Sequence, residues 1–311
     1  MSEQVASPRT APDMSIVMVC WNNKDYLDPC LKSLYEGGLR STFDIAATDN
    51  GSTDGSQEML RQKYPDVKII QNDHNVGLGK ASNQGIQATN GRYVLLFNND
   101  TLVDGPSLDA LVDFMDKTPD AGAVGGTLLN EDGSFQSAYG NFSTLWEEFM
   151  IATHLGERLH PGYPLHGQSD KVEEVGWLSS ACLLVRRAAL DQVGLLDENY
   201  FIYGDEVDLQ YRMQQAGWKV YFIPNSSTIH YGGRSMNRWK RRRMVYRGKM
   251  LFYKKHYGPL KTGLLRLMFA ALSAIKLIPW LIAWLLPSMK ERARLELASN
   301  LDVIKLCWKL E

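Results

Sequence analysis

Short apolar segments alternate with segments of helical length near the start of the chain, and this alternation constrains the fold more than any other feature. The apolar segments are continuous and rich in β-forming residues, as expected of strands buried on both faces: 15–20, 43–48, 67–70 and 93–97. Between them, 26–35, 56–64 and 81–89 have helical lengths. The sequence therefore predicts an α/β protein with a mostly parallel sheet flanked by helices.

The middle of the chain adds two further elements to this prediction. The segment 130–174 is irregular and aromatic, 177–187 resembles one more strand, and 205–216 resembles a helix. No glycine fingerprint follows the first strand and no GxxxxGK[ST] motif occurs, which excludes the dinucleotide and P-loop classes. The residue twelve positions along a potential calcium loop from Asp49 is Leu60, where a bidentate Glu is required, so a calcium loop is also excluded.

The net charge and the cysteine pattern limit which binding partners and which cellular compartment we expect for the protein. Thirty-four Lys and Arg balance thirty-five Asp and Glu in 311 residues, which argues against general polyanion binding. The four cysteines form no CxxC pair and indicate neither a disulfide framework nor a zinc site. Residues 1–13 lack the features of a signal peptide and predict a disordered head. We therefore expect a cytoplasmic protein.

The C-terminal part differs in composition from the rest. A basic, aromatic segment at 238–255 precedes the most apolar stretch, 263–287, which is interrupted by Arg266, Lys276 and Pro279. At 100° per residue the two charges lie within about 80° of each other, so one helix face carries both. This pattern favours a helix lying in a membrane interface, with the basic segment on an anionic surface. A plain solvated helix and nucleic-acid binding are the alternatives.

Polar residues follow two of the predicted strands. The loop 47–56 ends the second strand, and Asn98, Asn99 and Asp100 end the fourth. Because carboxyl ends of parallel strands share one edge of the sheet, these residues predict a ligand site there. Asp100 is a candidate ligand for a hard divalent cation. Taken singly, each segment is equally compatible with a turn or a helix cap.

Three acids lie in the first turn of the predicted helix 205–216. Asp205 and Glu206 are adjacent, and Asp208 has the spacing to pair with Arg212. Such acids complement the helix dipole, and one of them is also a candidate general base.

In their order along the chain, these motifs resemble the inverting family 2 glycosyltransferases. The resemblance rests on SIVMVCWNN, TDNGSTDGS, NVGLGKASNQG, FNNDT, WLSSACLLVRR, LDENYFIYGDEVDLQYRMQQAGW and HYGGRS, and it covers residues 14–257. It is nearest to the rhamnosyltransferase-like branch that builds bacterial surface polysaccharides. It implies a GT-A catalytic domain at 14–235, followed by a helical, membrane-associating extension at 236–311.

The resemblance also implies roles for individual residues. Asp49 would accept the N3–H of uracil or thymine, and Glu206, or else Asp205, would be the general base. Asp100 and His230 would hold Mg²⁺ or Mn²⁺, although Asn98 replaces the usual first acid of the metal motif. The remaining implied donor-site residues are Asn50, Ser52, Asp54, Lys80, Asn83, Asn98 and Asn99, and the implied acceptor-side residues are Trp177, Ser179, Ser180 and Asp208.

The implied partners follow from the same resemblance. The donor would be a dTDP- or UDP-sugar, with dTDP-rhamnose favoured over UDP-hexose or UDP-galactofuranose. The acceptor would be a glycan or a polyprenyl-diphosphate-linked sugar. We further expect peripheral association with the inner face of the cytoplasmic membrane, no nucleic acid, and a homodimer as another use of the tail.

Overall fold

The computed structural model describes residues 11–137, 139–159, 169–232 and 237–309. Its strands are β1 Met14–Cys20, β2 Phe43–Asp49, β3 Lys68–Gln71, β4 Tyr93–Phe97, β5 Thr101–Val103, β6 Ala121–Leu129, β7 Phe135–Gln136, β8 Tyr139–Gly140, β9 Glu173–Glu174, β10 Trp177–Leu178, β11 Cys182–Arg186 and β12 Lys219–His230. Its α-helices are α1 Lys24–Glu36, α2 Ser56–Lys63, α3 Leu78–Gln87, α4 Gly105–Lys117, α5 Leu145–Thr153, α6 Leu155–Leu159, α7 Arg187–Val193, α8 Asp205–Gln215, α9 Arg238–His256, α10 Gly258–Trp284 and α11 Lys290–Lys309.

The strands form a mixed sheet in the order β3-β2-β1-β4-β11-β6-β12-β5. The four strands predicted near the start of the chain are present, and β1 to β4 pair in parallel. The single strand predicted at 177–187 is wrong, because β10 pairs with β8 while β11 runs antiparallel between β4 and β6. Strands β8 and β10 form a separate two-stranded sheet, and residues 179–181 connect it to β11 of the main sheet.

Both faces of the sheet are covered. Ile16 and Met18 pack into one core cluster with α1 and α4, while Val17 between them packs into a second cluster with α7 and α8. Alternate residues of a strand point to opposite faces, so continuous apolar runs are required here.

Helices α9, α10 and α11 form a third cluster that includes Phe252, Tyr253, Phe269 and Cys307. Helix α10 is long and apolar enough to cross a membrane by length and composition. Seven exposed residues follow its outer face at spacings of three or four: Leu260, Leu264, Leu267, Ala271, Ile275, Ile278 and Ile282. We call them the apolar stripe.

The charged face of α10 is turned towards the body of the protein. Arg266 Nε donates to the carbonyl oxygen of Cys307 at 2.6 Å, and Lys276 Nζ donates to that of Ala152 at 2.6 Å. Both charges therefore face the protein, and burial lowers the pKa of Lys276. As predicted from the 100° periodicity, one face of α10 carries both charges, and the apolar stripe is the outward face.

Much of the basic segment is also bound internally. Arg238 and Arg242 pair with Glu296 of α11, which is buried, at 2.8 and 2.9 Å. Lys255 pairs with Asp197 and Asp208, each at 2.6 Å. These three cations therefore make ion pairs within the protein.

Within the segment 1–13, which we expected to be a disordered head, residues 11–13 are described. Residues 1–10 lie outside the described residues, as do 233–236 at the expected domain boundary. Asp13 receives hydrogen bonds from Thr42 and from Arg92 at 2.7 to 2.9 Å. Those bonds hold the pKa of Asp13 below its ordinary value.

Candidate active site

Asp49 ends β2 at the carboxyl edge of the sheet and is completely buried. Its Oδ1 accepts from the backbone N–H groups of Gly51 and Ser52 and from Nε2 of Gln57, at 2.7 to 3.1 Å. Its Oδ2 is buried and has no partner within the described part of the chain. Such an oxygen costs free energy unless a ligand donates to it.

The neighbouring polar residues hold this loop in shape. Ser52 Oγ accepts from the N–H of Asn22 at 2.9 Å, and Asp54 Oδ2 accepts from that of Lys24 at 2.9 Å. Asn50 Oδ1 accepts from Asn72 Nδ2 at 3.0 Å. They therefore support Asp49 by fixing the loops around it.

Asp100 and His230 meet at the same edge although they are far apart in sequence. Pairing of β12 with β5 places His230 opposite Thr101, and His230 Nε2 lies 3.4 Å from Asp100 Oδ1. Gln136 Oε1 lies 2.6 Å from His230 Nδ1. A hydrogen on Nδ1 donated to Gln136 makes Nε2 an acceptor, and a metal ion bound there would replace the Asn98 amide as its partner.

These two groups fit a divalent cation, because a carboxylate oxygen and an imidazole nitrogen that is fixed by a second hydrogen bond converge there. Asn98 Nδ2 lies 3.2 Å from the same Nε2, and Asn99 presents a buried Nδ2 with no described partner. Asp49, residues 98–100 and His230 together form what we call the polar edge.

Asp205 and Glu206 are adjacent but border different spaces. Asp205 is buried and lines a small space of about 10 Å³, together with Val19, Leu78 and Phe97 near the polar edge. Burial and the neighbouring Glu206 charge raise the pKa of Asp205, whose Oδ1 has no partner among the described residues. Glu206 instead lines a cavity of about 420 Å³.

This second space, the large cavity, lies among α5, α8 and α9 and the loop before α8. Its lining includes Trp177, and the Trp177 Nε1 donates to the carbonyl oxygen of Asn141 at 3.1 Å. Tyr203 and Gly204, which precede Glu206, have φ values of 65° and 99°. Gly248 of α9 packs against this turn, where a Cβ would collide with the Tyr203 carbonyl oxygen.

Asp208 does not border either space and is corrected from an acceptor-side residue to a link between helices. It is fully buried and accepts from Lys255 Nζ, His256 Nε2 and Arg212 Nε at 2.6 to 2.8 Å. Burial opposes ionisation, but these bonds hold the pKa of Asp208 well below its usual range. The bonds from Lys255 and His256 join α8 to α9.

The structure gives positions for four further predicted residues. Asn83 exchanges two hydrogen bonds with the backbone of Leu196 at 2.8 and 3.0 Å and so braces the fold. Lys80 is exposed, 3.9 Å from Glu198. Ser180 borders the small space beside Asp205, and Ser179 Oγ accepts from the N–H of Ala181. None of these four lines the large cavity.

Sequence reasoning missed Gln136, Gln57 and Lys249. Gln136 and Gln57 orient His230 and Asp49, and Lys249 lines the large cavity. Gln57 follows Asp49 by eight residues, at the start of a predicted helix. Its contact with Asp49 could therefore have been predicted from the sequence around the loop. Gln136 and Lys249 are joined to the site by tertiary packing alone.

The sheet, its polar edge and the acid pair define a transferase of the GT-A type. Its fold is shared by a Pyrobaculum calidifontis mannosyltransferase solved with GDP-Man and Mn²⁺, at a TM-score of 0.58 and 13% identity, covering 98% of this chain and 90% of that one. GalNAc-T7 solved with UDP, GalNAc and Mn²⁺ gives a TM-score of 0.55 at 18% identity, covering 79% of this chain and 50% of that one.

The chain belongs to glycosyl transferase family 2, whose model matches residues 15–194. It is 32% identical over 245 residues to the N-acetylglucosaminyl-diphospho-decaprenol L-rhamnosyltransferase of Mycobacterium tuberculosis, covering 72% of this chain and 78% of that protein. It is 28% identical over 229 residues to the O-antigen biosynthesis protein RfbC of Myxococcus xanthus, covering 72% of this chain and 18% of that protein. The predicted family, fold class and enzymatic nature are confirmed.

Proposed function

We propose that the enzyme transfers L-rhamnose from dTDP-rhamnose to a sugar linked to polyprenyl diphosphate, with inversion, during synthesis of a cell-surface polysaccharide. The observation that carries the proposal is the divergence of the acid pair, in which Asp205 borders the space at the polar edge and Glu206 lines the large cavity. Donor and acceptor would then meet at Glu206. The choice of rhamnose and of the lipid-linked acceptor is supported by the rhamnosyltransferase relative.

The polar edge would bind the nucleotide. Asp49 Oδ2 is a buried acceptor without a partner in the described structure, and the N3–H of thymine or uracil is a matching donor that cytosine lacks. Both dTDP and UDP satisfy this contact, so a UDP-hexose or UDP-galactofuranose is the alternative donor. The diphosphate would lie near residues 98–100.

In the proposed reaction Glu206 accepts the proton of an acceptor hydroxyl as the hydroxyl oxygen attacks the anomeric carbon of the donor. The bond from that carbon to the diphosphate oxygen breaks, and its electron pair leaves with the nucleoside diphosphate. Mg²⁺ or Mn²⁺ held by Asp100 and His230 would neutralise charge on the departing diphosphate.

Association with the cytoplasmic face of the membrane would follow from the apolar stripe. A continuous exposed apolar face is unusual on a soluble protein and suits burial in the acyl boundary. Cations stack on aromatic rings near both ends of α10: Lys261 lies 5.0 Å from the Tyr257 ring centroid, and Lys290 lies 5.5 Å from that of Trp284. Aromatic residues beside cations favour the head-group region.

A donor screen tests the proposal. The purified protein is incubated with dTDP-rhamnose, UDP-galactofuranose or a UDP-hexose and a short-chain prenyl-diphosphate-linked N-acetylglucosamine, with Mn²⁺ or with chelator. We expect rhamnosylated product by mass spectrometry, which chelator and Asp100→Ala both abolish. Transfer from a UDP-sugar alone would favour the alternative donor, and full activity in chelator would contradict the metal assignment.

A further inference from the structure

Lys249 lines the large cavity and has no role in the reaction proposed above. Lys249 of α9 lines this cavity together with Glu206, on a different helix. The side chain of Lys249 is 27% exposed, so its ammonium group is partly shielded from water yet reachable from the cavity. A volume of about 420 Å³ is large enough for a sugar with an attached group.

Buried partners fix the ammonium group in place. Glu148 of α5 is buried, and its Oε2 accepts from Lys249 Nζ at 2.5 Å while its Oε1 accepts from Ser143 Oγ at 2.5 Å. An ammonium group has three N–H donors, and Glu148 is the one acceptor recorded for it within the described residues. Two donors of Lys249 therefore remain for a ligand.

Three acids line the large cavity, namely Glu206, Glu148 and Glu147, and Glu147 is occupied by local bonds. Its Oε2 accepts from the backbone N–H and the Oγ1 of Thr144 in a capping box. A second cation lies near the same cavity, since the Arg241 guanidinium is 5.7 Å from the ring centroid of Tyr203. Glu148 is paired with Lys249 and Glu147 is held in the capping box, so among the described residues Glu206 faces the cavity beside one lining cation, Lys249.

We propose that Lys249 binds a phosphate group that is attached to the acceptor sugar, so that the enzyme selects a sugar phosphate ester over a neutral glycan. The proposal rests on the proposed function, because it assumes that Glu206 activates an acceptor in this cavity. When a hydroxyl group of the acceptor sugar contacts Glu206, the group attached to its anomeric carbon would lie at another wall of the large cavity, where Lys249 is found. A fixed ammonium group gives a phosphate oxygen a short, charge-assisted hydrogen bond.

Two matched acceptors test this inference. Both carry N-acetylglucosamine and the same short prenyl chain, joined by a diphosphate in one and by a plain glycosidic bond in the other. We expect the wild type to have at least a tenfold lower KM for the diphosphate acceptor. Lys249→Met should remove most of that difference by raising the KM of the diphosphate acceptor alone, and Lys249→Arg should retain part of it.

Additional variants separate recognition from folding. Lys249→Met leaves Glu148 buried without its partner, which destabilises a protein, so the double variant Glu148→Gln with Lys249→Met repeats the test without a buried charge. Lys254→Met is the matched control, since Lys254 is exposed on the same helix and does not line the cavity. We expect unchanged KM values for both acceptors in that control.

The two levels of the hypothesis fail in different ways. Equal KM values for the two acceptors in the wild type, or an equal rise for both in the folded double variant, would overturn the role of Lys249 while transfer itself persists. Absence of transfer to either acceptor, with donor still bound in a thermal-shift assay, would overturn the proposed acceptor class.

Discussion

The polar edge and the large cavity meet at the Asp205–Glu206 pair, but the chain builds them differently. At the polar edge, Asp49 is held by Gly51, Ser52 and Gln57, all within eight residues. In the large cavity, Glu148 and Lys249 are separated by 101 residues and meet through helix packing. The first region is a local loop on a rigid strand, whereas the second depends on where the C-terminal helices lie.

The largest effect should come from the residue at which the two regions meet. Glu206→Gln removes the proton acceptor while keeping the side-chain shape, so we expect turnover to fall by about 10²- to 10⁴-fold. Donor affinity, measured by calorimetry, should change little because the polar edge is intact. Wild-type turnover in this variant would move the role of base to Asp205.

A substitution at Gly248 of α9 tests whether helix packing positions the residues of the large cavity. In Gly248→Ala the new Cβ collides with the Tyr203 carbonyl oxygen and displaces α9 from the turn that carries Glu206. We expect turnover to fall by about 10²-fold, because small misplacements of reacting groups are costly.

The matched control for this glycine lies in the next helix. Gly263 of α10 has open space where a Cβ would be placed, so Gly263→Ala should keep full turnover. Helix propensity predicts a gain in unfolding free energy of up to about 1 kcal/mol there. Equal losses of turnover in the two variants would show that α9 packing does not control the acid pair.

Nucleotide binding at the polar edge should change when one side-chain oxygen of Asp49 is replaced by an amide nitrogen. Asp49→Asn replaces the unpartnered Oδ2 with an N–H donor, so affinity for a thymidine or uridine diphosphate should fall about 10- to 100-fold. Cytidine diphosphate, whose N3 accepts a hydrogen bond, should then gain relative affinity. Calorimetric titration of the three nucleotides would contradict the assignment if their order of affinity stayed the same.

The smallest effect on turnover should come from the apolar stripe. Ile278→Ser removes an exposed apolar group, so vesicle partitioning should weaken by roughly 10- to 100-fold, while turnover of a soluble acceptor stays constant. Val172→Ser, at an exposed site in the catalytic part, is the control. Unchanged sedimentation of the Ile278 variant with anionic vesicles would contradict membrane docking by this face.

The sequence predicted features that depend on contacts between residues close together in the chain, and it did not predict features that depend on distant contacts. The strands near the start of the chain and the position of Asp49 at a strand end followed from hydrophobic patterning and the turn after β2. Periodicity also placed Arg266 and Lys276 on one face of α10, but it carries no information about which neighbour that face meets. Their acceptors, Cys307 and Ala152, lie 41 and 124 residues away.

The outward orientation of the apolar stripe would make the proposed membrane association compete with self-association of the protein. In water without lipid, the stripe can be shielded from solvent by the same stripe of a second copy, as in a symmetric dimer. In the presence of a bilayer the stripe would be occupied by lipid and would no longer be available for that contact. The oligomeric state should therefore depend on protein concentration in buffer and fall to the monomer as vesicles are added.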